Sequence, residues 1–522
     1  LICSNASPAA LGGIDRAAAD FAELGAIAAE RNIRVGYEAL AWGRYVNDHR
    51  DAWEIVRRAD HPNVGIILDS FHTLARNIPP SSIRSIPKDK ILIVQLADAP
   101  ALDLDVLQWS RHLRNMPGQG DLPVTDVMLA VAATGYDGYL SLEMFNDQFR
   151  SGVPRAIALD GRRSLLALVD EVKRAQPGLY PDVLALPPPT SVEGVAFIEF
   201  ASGDKEAGGL ATLLETLGFR PTAKHKSKSV VLYEQGDIRL VVNTESEGLA
   251  HSSYIAHGTS AYAIGLKAPD AKGTIARAQA LDAQMFRQKL HEGEIELPAI
   301  RGIGGGLLYF LDGGEALAHI WDAEFTRDGR AAAPAYLTRI DHIAQTMSYD
   351  EMLTWILFYT SIFEVEKSPT VDIVDPGGLV RSRVIENKDG RFRLTLNGAD
   401  NRRTFAGQFI ERSFGSSVQH IAFESADIIA AADALAGIGF QPLPITPNYY
   451  DDLQARFGLA DDLVAQLRAR QILYDRDGDG EFFQMYSPLF GDGFFFEIVE
   501  RRGGYPGYGA ANAIFRIASQ RR

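Results

Sequence analysis

The sequence predicts an α/β region followed by an α+β region, and three observations predict it. Strand and helix patterns alternate from Leu1 to about residue 175, the pattern of parallel strands joined by helical crossovers. The alternation stops at "PGLYPDVLALPPPTS" (177–191), a proline-rich stretch that reads as a stiff linker. Beyond it come strands, single helices and Gly-rich turns arranged as repeats. The expected organisation is a partial β/α barrel over 1–176, a linker over 177–193, and two related halves over 194–330 and 336–522.

In the first region the strand-like runs are Leu1–Cys3, "IRVGYEAL" (33–40), "VGIILDS" (64–70), "ILIVQLAD" (91–98) and "GYLSLEMF" (138–145). Helical stretches such as "GGIDRAAADFAELGAIAAERN" (12–32), with apolar residues at helical spacing, lie between them. Five strands are three short of a closed eight-stranded barrel. The chain opens on "LICSNAS" with no Met and reads like the inside of a strand. The expectation is that three strands precede Leu1 and that the chain without them has little activity of its own.

Four of these strands end in an oxygen ligand: Glu38, Asp69, Gln95 and Glu143. One acidic strand end is unremarkable, but four in succession form a pattern. The carboxyl ends of barrel strands make the active-site face. Three carboxylates and an amide oxygen suit a hard divalent ion such as Mg²⁺ or Mn²⁺, and not a structural zinc, which prefers Cys and His. His72, three residues past Asp69, can reach the same mouth as a general base, although a loop-anchoring histidine is the plainer alternative. The loop "PGQGD" (117–121) shapes the pocket and does not cradle phosphate, since no helix with the required spacing follows it.

The second region repeats itself. "TSAYAIGLKAPD" (259–270) matches "SSVQHIAFESAD" (416–427), "EGVAFIEF" (193–200) matches "RIDHIAQT" (339–346), and "GGLLYFLDGG" (305–314) matches "DGFFFEIVER" (492–501). Four similar modules, paired into two halves, account for this. A lone histidine in a half-buried strand is more often a core residue satisfied by a hydrogen bond than a ligand. The repeat changes the odds: His342 corresponds to Phe197, His420 to Ala263 and Glu497 to Phe310. Two histidines and a carboxylate at nearly even spacing form the set that holds non-haem Fe(II) with open positions.

The bulk numbers narrow the partners. The 522 residues carry a net charge of −15, which disfavours nucleic acid and anionic membrane and leaves a small molecule as the expected partner. A single cysteine, Cys3, rules out an intrachain disulfide and fits a reducing, cytoplasmic setting. No apolar run approaches the ~18 residues of a membrane span. The sequence is silent on oligomeric state, and a homo-oligomer is compatible with it.

Residues 194–522 resemble 4-hydroxyphenylpyruvate dioxygenase, of the vicinal-oxygen-chelate superfamily. The blocks that carry this are "IDHIAQTM", "SSVQHIAF", "FFQMYSPLFGDGFFFEIVERRG" and "GYGAANAIFRI". The resemblance implies four βαβββ-like modules, with His342, His420 and Glu497 as ligands of Fe²⁺ or another divalent metal in the later half and a metal-less earlier half. It places Ser382, Asn397 and Gln484 in a substrate pocket. The family usually has a proline where this chain has Thr395. An oxygenase acting on 4-hydroxyphenylpyruvate, or a purely structural module, are the two roles open to this half.

Residues 1 to about 175 resemble the sugar phosphate isomerase/epimerase barrels, the xylose-isomerase-like superfamily of TIM-type folds. The fuller blocks "GYEALAWGRYVNDHRDAWEIVRRADHPNVGIILDSFHTLAR", "IVQLADAP", "WSRHLRNMPGQGD" and "GYLSLEMFND" are similar to bacterial 3-dehydroshikimate dehydratases, one class of which carries such a fusion. The resemblance implies a lyase of quinate and shikimate catabolism that yields protocatechuate. It implies Glu38, Asp69, Gln95 and Glu143 as ligands of Mg²⁺, Mn²⁺ or Co²⁺, His72 as base, and Ser110 and Arg114 as substrate-holding residues. A sugar isomerase or epimerase is the alternative that the barrel itself allows.

Overall fold

The computed structural model of the chain describes residues 1–183, 185–288, 290, 294–313, 319–329 and 334–521. Leu184 in the expected linker, Gly314 at the end of one repeat and Arg330 at the expected end of the earlier half lie outside the described residues. The chain divides into two compact units, Leu1–Leu186 with Ile356–Ser361, and Pro187–Trp355 with Ile362–Arg522.

The first unit is built on five strands, β1 (Ile2–Cys3), β2 (Val35–Glu38), β3 (Val64–Asp69), β4 (Ile91–Leu96) and β5 (Leu140–Leu142), paired in chain order. Every pair is parallel. All residues of β2 and β3 are buried, as parallel strands covered on both faces require. The crossovers include α1 (Ile14–Ala29), α2 (His49–Ala59), α3 (Ser70–Ala75), α4 (Val106–His112) and α5 (Val124–Ala133). Helix α1 buries Ala18, Phe21, Gly25 and Ala28, one face at helical spacing. A Cβ on Gly25 would lie 2.6 Å from the His61 ring, so the close approach of this helix needs glycine. Helix α2 starts where the Asp48 carboxylate accepts the Arg50 N–H at 2.8 Å, and ends at Asp60 in the left-handed region. Helix α3 starts directly at the end of β3: the Asp69 carboxylate accepts the His72 N–H at 3.0 Å. Sheet register sets Asp69 against Gln95 and Glu38 against Cys3. The strand ends expected to carry ligands therefore share one edge of the sheet.

The "PGQGD" loop wraps a carboxylate. Asp98 accepts from the N–H groups of Gly118, Gly120 and Leu122 at 3.1, 3.0 and 2.9 Å. Those donors are committed within the fold, as a loop that shapes a pocket and holds no phosphate would have them.

The second unit contains two nine-stranded sheets. The earlier comprises β6 (Gly194–Ala201), β7 (Arg220–His225), β8 (Val230–Gln235), β9 (Ile238–Asn243), β10 (Ser260–Lys267), β11 (Met285–Phe286), β12 (Ala299–Arg301), β13 (Leu307–Leu311) and β14 (Phe325–Arg327), in the order β11-β12-β13-β10-β6-β9-β8-β7-β14. The later comprises β15 (Arg339–Ser348), β16 (Glu366–Lys367), β17 (Val371–Asp375), β18 (Gly378–Glu386), β19 (Arg393–Ala399), β20 (Ser417–Glu424), β21 (Leu473–Asp477), β22 (Gly480–Tyr486) and β23 (Phe495–Arg502). Its order is β16-β18-β19-β15-β20-β23-β22-β21, with β17 against β18. Each sheet is centred on an antiparallel pair, β6 with β10 and β15 with β20, flanked by parallel neighbours. This is the duplication that the sequence repeats imply.

Register tests the residue equivalences. Gly265 pairs with Phe197 as Ala422 pairs with His342, so His342 and Phe197 are counterparts, and His420 and Ala263 follow. Ala422 also pairs with Glu497, whereas Gly265 pairs with Tyr309. The counterpart of Glu497 is therefore Tyr309 and not the expected Phe310. One residue of slip turns a strand side chain to the other face. Phe310 packs on Phe363, with ring centres 6.0 Å apart, while Tyr309 faces Phe197 at 5.8 Å. A second expectation also changes. Strand β20 is buried from Ser417 to Phe423, not half-buried, and Gln419, beside His420 in the chain, accepts a hydrogen bond from the Thr346 hydroxyl at 2.8 Å.

Two candidate metal centres

The first centre lies at the carboxyl ends of β2 to β5. Glu38, Asp69 and His72 converge, each buried, with a ligand atom of each within 4.8 Å of the others. His72 Nε2 is 3.6 Å from Glu38 Oε1 and 3.9 Å from Asp69 Oδ2. Gln95 and Glu143 join from the next two strands, the Gln95 amide donating to Glu143 Oε1 at 2.9 Å. Arg114 reaches this cluster from beyond α4 and is fully buried. Its Nη1 donates to Asp69 Oδ2 at 2.8 Å and to Glu143 Oε2 at 2.9 Å. Its Nε and Nη2 donate to Ser110 Oγ at 3.1 and 2.9 Å, and the Phe71 ring lies 4.7 Å from its Cζ. Every site residue singled out in the first region thus meets in one place. Missed were Phe71 and Cys3, whose thiol donates to Glu38 Oε2 at 3.2 Å. Cys3 arrives by the β1–β2 pairing, which leaves no local signal, whereas Phe71 stands between Asp69 and His72 in the chain and was legible there.

The electrostatics are those of an anionic pocket with too little positive charge. Burial disfavours the charge on Asp69 most strongly, but Arg114, His72 and the hydrogen bonds from both together hold that carboxyl below its usual range. Glu143 is pushed up by burial and then by the Asp69 charge, and Glu38 is raised by the same two causes. Three carboxylates face one guanidinium. Glu38 Oε1 and Gln95 Oε1 are buried without a hydrogen-bond partner among the described residues, and such atoms are costly to leave bare. Both observations fit a divalent cation. Burial lowers His72 to about 4, so its ring is neutral near pH 7. Nδ1 of that ring lies 3.2 Å from the Ala41 N–H and Nε2 lies 3.3 Å from Arg114 Nη2. A neutral imidazole accepts at only one nitrogen, so the tautomer decides whether Nε2 is a base.

The second centre is in the later half. His342 Nε2 is 3.3 Å from His420 Nε2, and each lies 3.4 Å from Glu497 Oε2. The three ligand atoms converge on one point, an arrangement that fits a metal face of two imidazoles and a carboxylate. His342 donates from Nδ1 to Asp341 Oδ1 at 2.8 Å, which frees the Nε2 lone pair. Asp341 in turn accepts from Arg393 at 3.0 Å and Arg501 at 2.9 Å. Burial opposes the Asp341 charge, yet His342 and Arg501 hold its carboxyl far below the usual range. His420 stacks on Phe495 at 4.7 Å and is lowered to about 4 by burial. Gln484 donates to Glu497 Oε1 at 2.8 Å and accepts from Asn512 at 2.9 Å, so it positions the carboxylate as well as lining the cavity. Ser382 and Asn397 pair across β18 and β19 and line the same cavity. Asp341 was not anticipated, although the "DH" pair was visible in "RIDH".

In the earlier half the equivalent positions are filled. Trp321 packs edge-on against Phe197 at 5.5 Å, beside Tyr309.

Comparison with known proteins matches these regions to three families. Residues 4–174 match the xylose isomerase-like TIM barrel family. Residues 187–326 match hydroxyphenylpyruvate dioxygenase, N-terminal, and 339–479 match the glyoxalase/bleomycin resistance protein/dioxygenase superfamily. The chain is 44% identical to a 3-dehydroshikimate dehydratase of Pseudomonas putida over 99% of its own length and 83% of that protein. It is 31% identical to a 4-hydroxyphenylpyruvate dioxygenase of Pseudomonas aeruginosa, over 62% of this chain and 92% of the relative. A solved xylose isomerase-like TIM barrel/4-hydroxyphenylpyruvate dioxygenase fusion protein superposes with a TM-score of 0.92 at 43% identity, covering 99% of this chain and 83% of that one.

Proposed function

The chain belongs to the family of 3-dehydroshikimate dehydratases in which a xylose isomerase-like barrel is fused to a dioxygenase-like half, and on that premise we propose which residues carry the reaction. The observation that supports the assignment is the convergence of Glu38, Asp69 and His72 with the bare oxygens of Glu38 and Gln95. Glu38, Asp69, Gln95 and Glu143 hold a divalent ion, of which Mg²⁺, Mn²⁺ and Co²⁺ suit the oxygen donors. When bound, that ion polarises the substrate ketone and stabilises the charge that develops on it.

The rest falls to the side chains. The substrate has an acidic proton beside its ketone and a hydroxyl β to it. His72, neutral and buried, takes the proton; because the Ala41 N–H donates to Nδ1 in the structure, Nε2 is the base only once Nδ1 gives up that bond and carries the ring hydrogen. The C–O bond to the β hydroxyl then breaks, and the proton held on His72 leaves with the hydroxide as water. A ring C–H proton is then transferred to the former ketone oxygen, and this tautomerisation gives the aromatic protocatechuate. Arg114 holds the substrate carboxylate. In the structure its Nη1 is spent on Asp69 and Glu143, and it becomes available once those carboxylates turn to a cation. Ser110 keeps the guanidinium in place meanwhile. His342, His420 and Glu497 hold a second divalent metal, with Fe²⁺ the best match to their donor set.

The test is direct. The full-length protein with Mg²⁺ or Mn²⁺ and 3-dehydroshikimate should develop the ultraviolet absorbance of protocatechuate, and Glu143→Ala should abolish it. An unchanged rate in that variant would overturn the assignment of the barrel site.

A further inference from the structure

The cavity over His342, His420 and Glu497 contains a cation that neither the fold nor the ligand set requires. The cavity measures ≈ 350 Å³, the size of a small-molecule site. Arg516, on the C-terminal helix Ala513–Gln520, lines it. Its guanidinium sits 5.0 Å from the Phe495 ring centre and 5.6 Å from that of Tyr486. It donates to Gln520 at 2.7 Å, and no acidic side chain pairs with it among the described residues. On the facing strand, Thr395 lines the cavity with a buried hydroxyl that has no hydrogen-bond partner. His420 and Arg516 both rest on Phe495, so the guanidinium and the triad are one aromatic ring apart.

These features specify a ligand. An unpaired guanidinium among aromatic rings selects a carboxylate. Three protein ligands on one face leave neighbouring positions open, which selects a pair of adjacent oxygens. The tyrosines that line the cavity, Tyr486, Tyr505 and Tyr508, favour a flat aromatic ring between the two anchors. We propose that this cavity binds an aromatic ortho-dihydroxy carboxylate, the chemical class of the barrel's own product, with its carboxylate on Arg516 and its hydroxyl pair toward His342, His420 and Glu497. The identification with the product rests on the dehydratase reading above; the recognition chemistry does not. The later half is on this reading a product-binding module.

The experiment titrates the full chain, loaded with iron(III), with protocatechuate and separately with catechol, which lacks the carboxylate. Visible absorbance of the iron–catecholate chromophore reports binding, and a Glu143→Ala background weakens any contribution from the barrel. Protocatechuate should bind about ten- to hundredfold more tightly than catechol, the worth of a charge-assisted hydrogen bond. Arg516→Gln should erase that preference while leaving catechol binding unchanged, which also shows that the variant's site is intact. His420→Ala should abolish the chromophore with both ligands. Equal affinity of the two ligands for the unaltered chain, or an Arg516→Gln variant that weakens both alike or neither, would overturn the proposal. A chain that shows the preference without dehydrating 3-dehydroshikimate would refute the barrel assignment alone.

Discussion

The two centres solve the same problem, a cluster of buried metal-ligating groups, with the compensating charge in different places. In the barrel, Arg114 touches the ligand atoms themselves, bridging Asp69 and Glu143. In the later half, Arg393 and Arg501 stand one residue further out, on Asp341, and the atoms facing one another are left free. The barrel centre is thus partly neutralised from within, and Arg114 must give way for the carboxylates to take a cation. The later centre is preset for one. A carboxylate-rich site needs a counter-charge at contact distance to fold, whereas two imidazoles and one carboxylate do not.

The largest expected effect would break the division of labour between the centres. Asp69→Asn should lower kcat/KM for dehydration by about a thousandfold, since it removes a ligand oxygen and the Arg114 partner together. His420→Ala should leave dehydration within about twofold. Steady-state kinetics on both variants checks this, and equal losses would mean that the centres do not act separately.

Next in size is the preset centre. Asp341→Asn should weaken metal binding there by about ten- to a hundredfold, because the outer partner fixes the His342 tautomer. Competition with a chelator measures it, and an unchanged affinity would place the preorganisation elsewhere.

A smaller effect would sharpen the contrast in arginine placement. Arg114→Gln should tighten metal binding at the barrel about tenfold by removing an internal competitor, while raising KM for the substrate. If metal affinity falls instead, Arg114 supports the site and does not compete for it.

The smallest effect concerns stability near the barrel mouth. His49 is buried, bonded to Ser82 at 2.7 Å, and lowered by burial from 6.5 to about 4. Its folded form favours the neutral ring, so its stabilisation is complete above pH 6.5 and is lost as pH falls through that interval. Thermal unfolding of the metal-free chain near pH 7 and near pH 5 should show a drop of a few degrees that His49→Gln reduces, worth about 2 kcal/mol at most.

Much of this was legible in the sequence, for physical reasons that differ by region. The barrel strands are short apolar runs ending in a polar residue, and all five formed where the runs lie, because parallel strands buried on both faces must be written that way. Glu38, Asp69, Gln95 and Glu143 were readable since a strand end is a local feature. Tyr309 was not: the β10–β13 register is one residue off that of β20–β23, and matching the two segments as text pairs Glu497 with Phe310. Arg114's bridge to Asp69 spans 45 positions and left no local trace. Arg516 carries no local signal either: its place in the cavity wall comes from where the C-terminal helix packs.

Asp69 does two jobs with one carboxylate: it stands among the candidate ligands, and its Oδ1 caps the helix that carries His72. For anyone altering this enzyme, the ion and the proton carrier are therefore a single inherited unit. A substitution at this position chosen to change the preferred ion would also shift the start of that helix and re-aim the imidazole. Metal preference and proton transfer can drift independently only through Glu38, Gln95 or Glu143, and retuning should begin at those three positions.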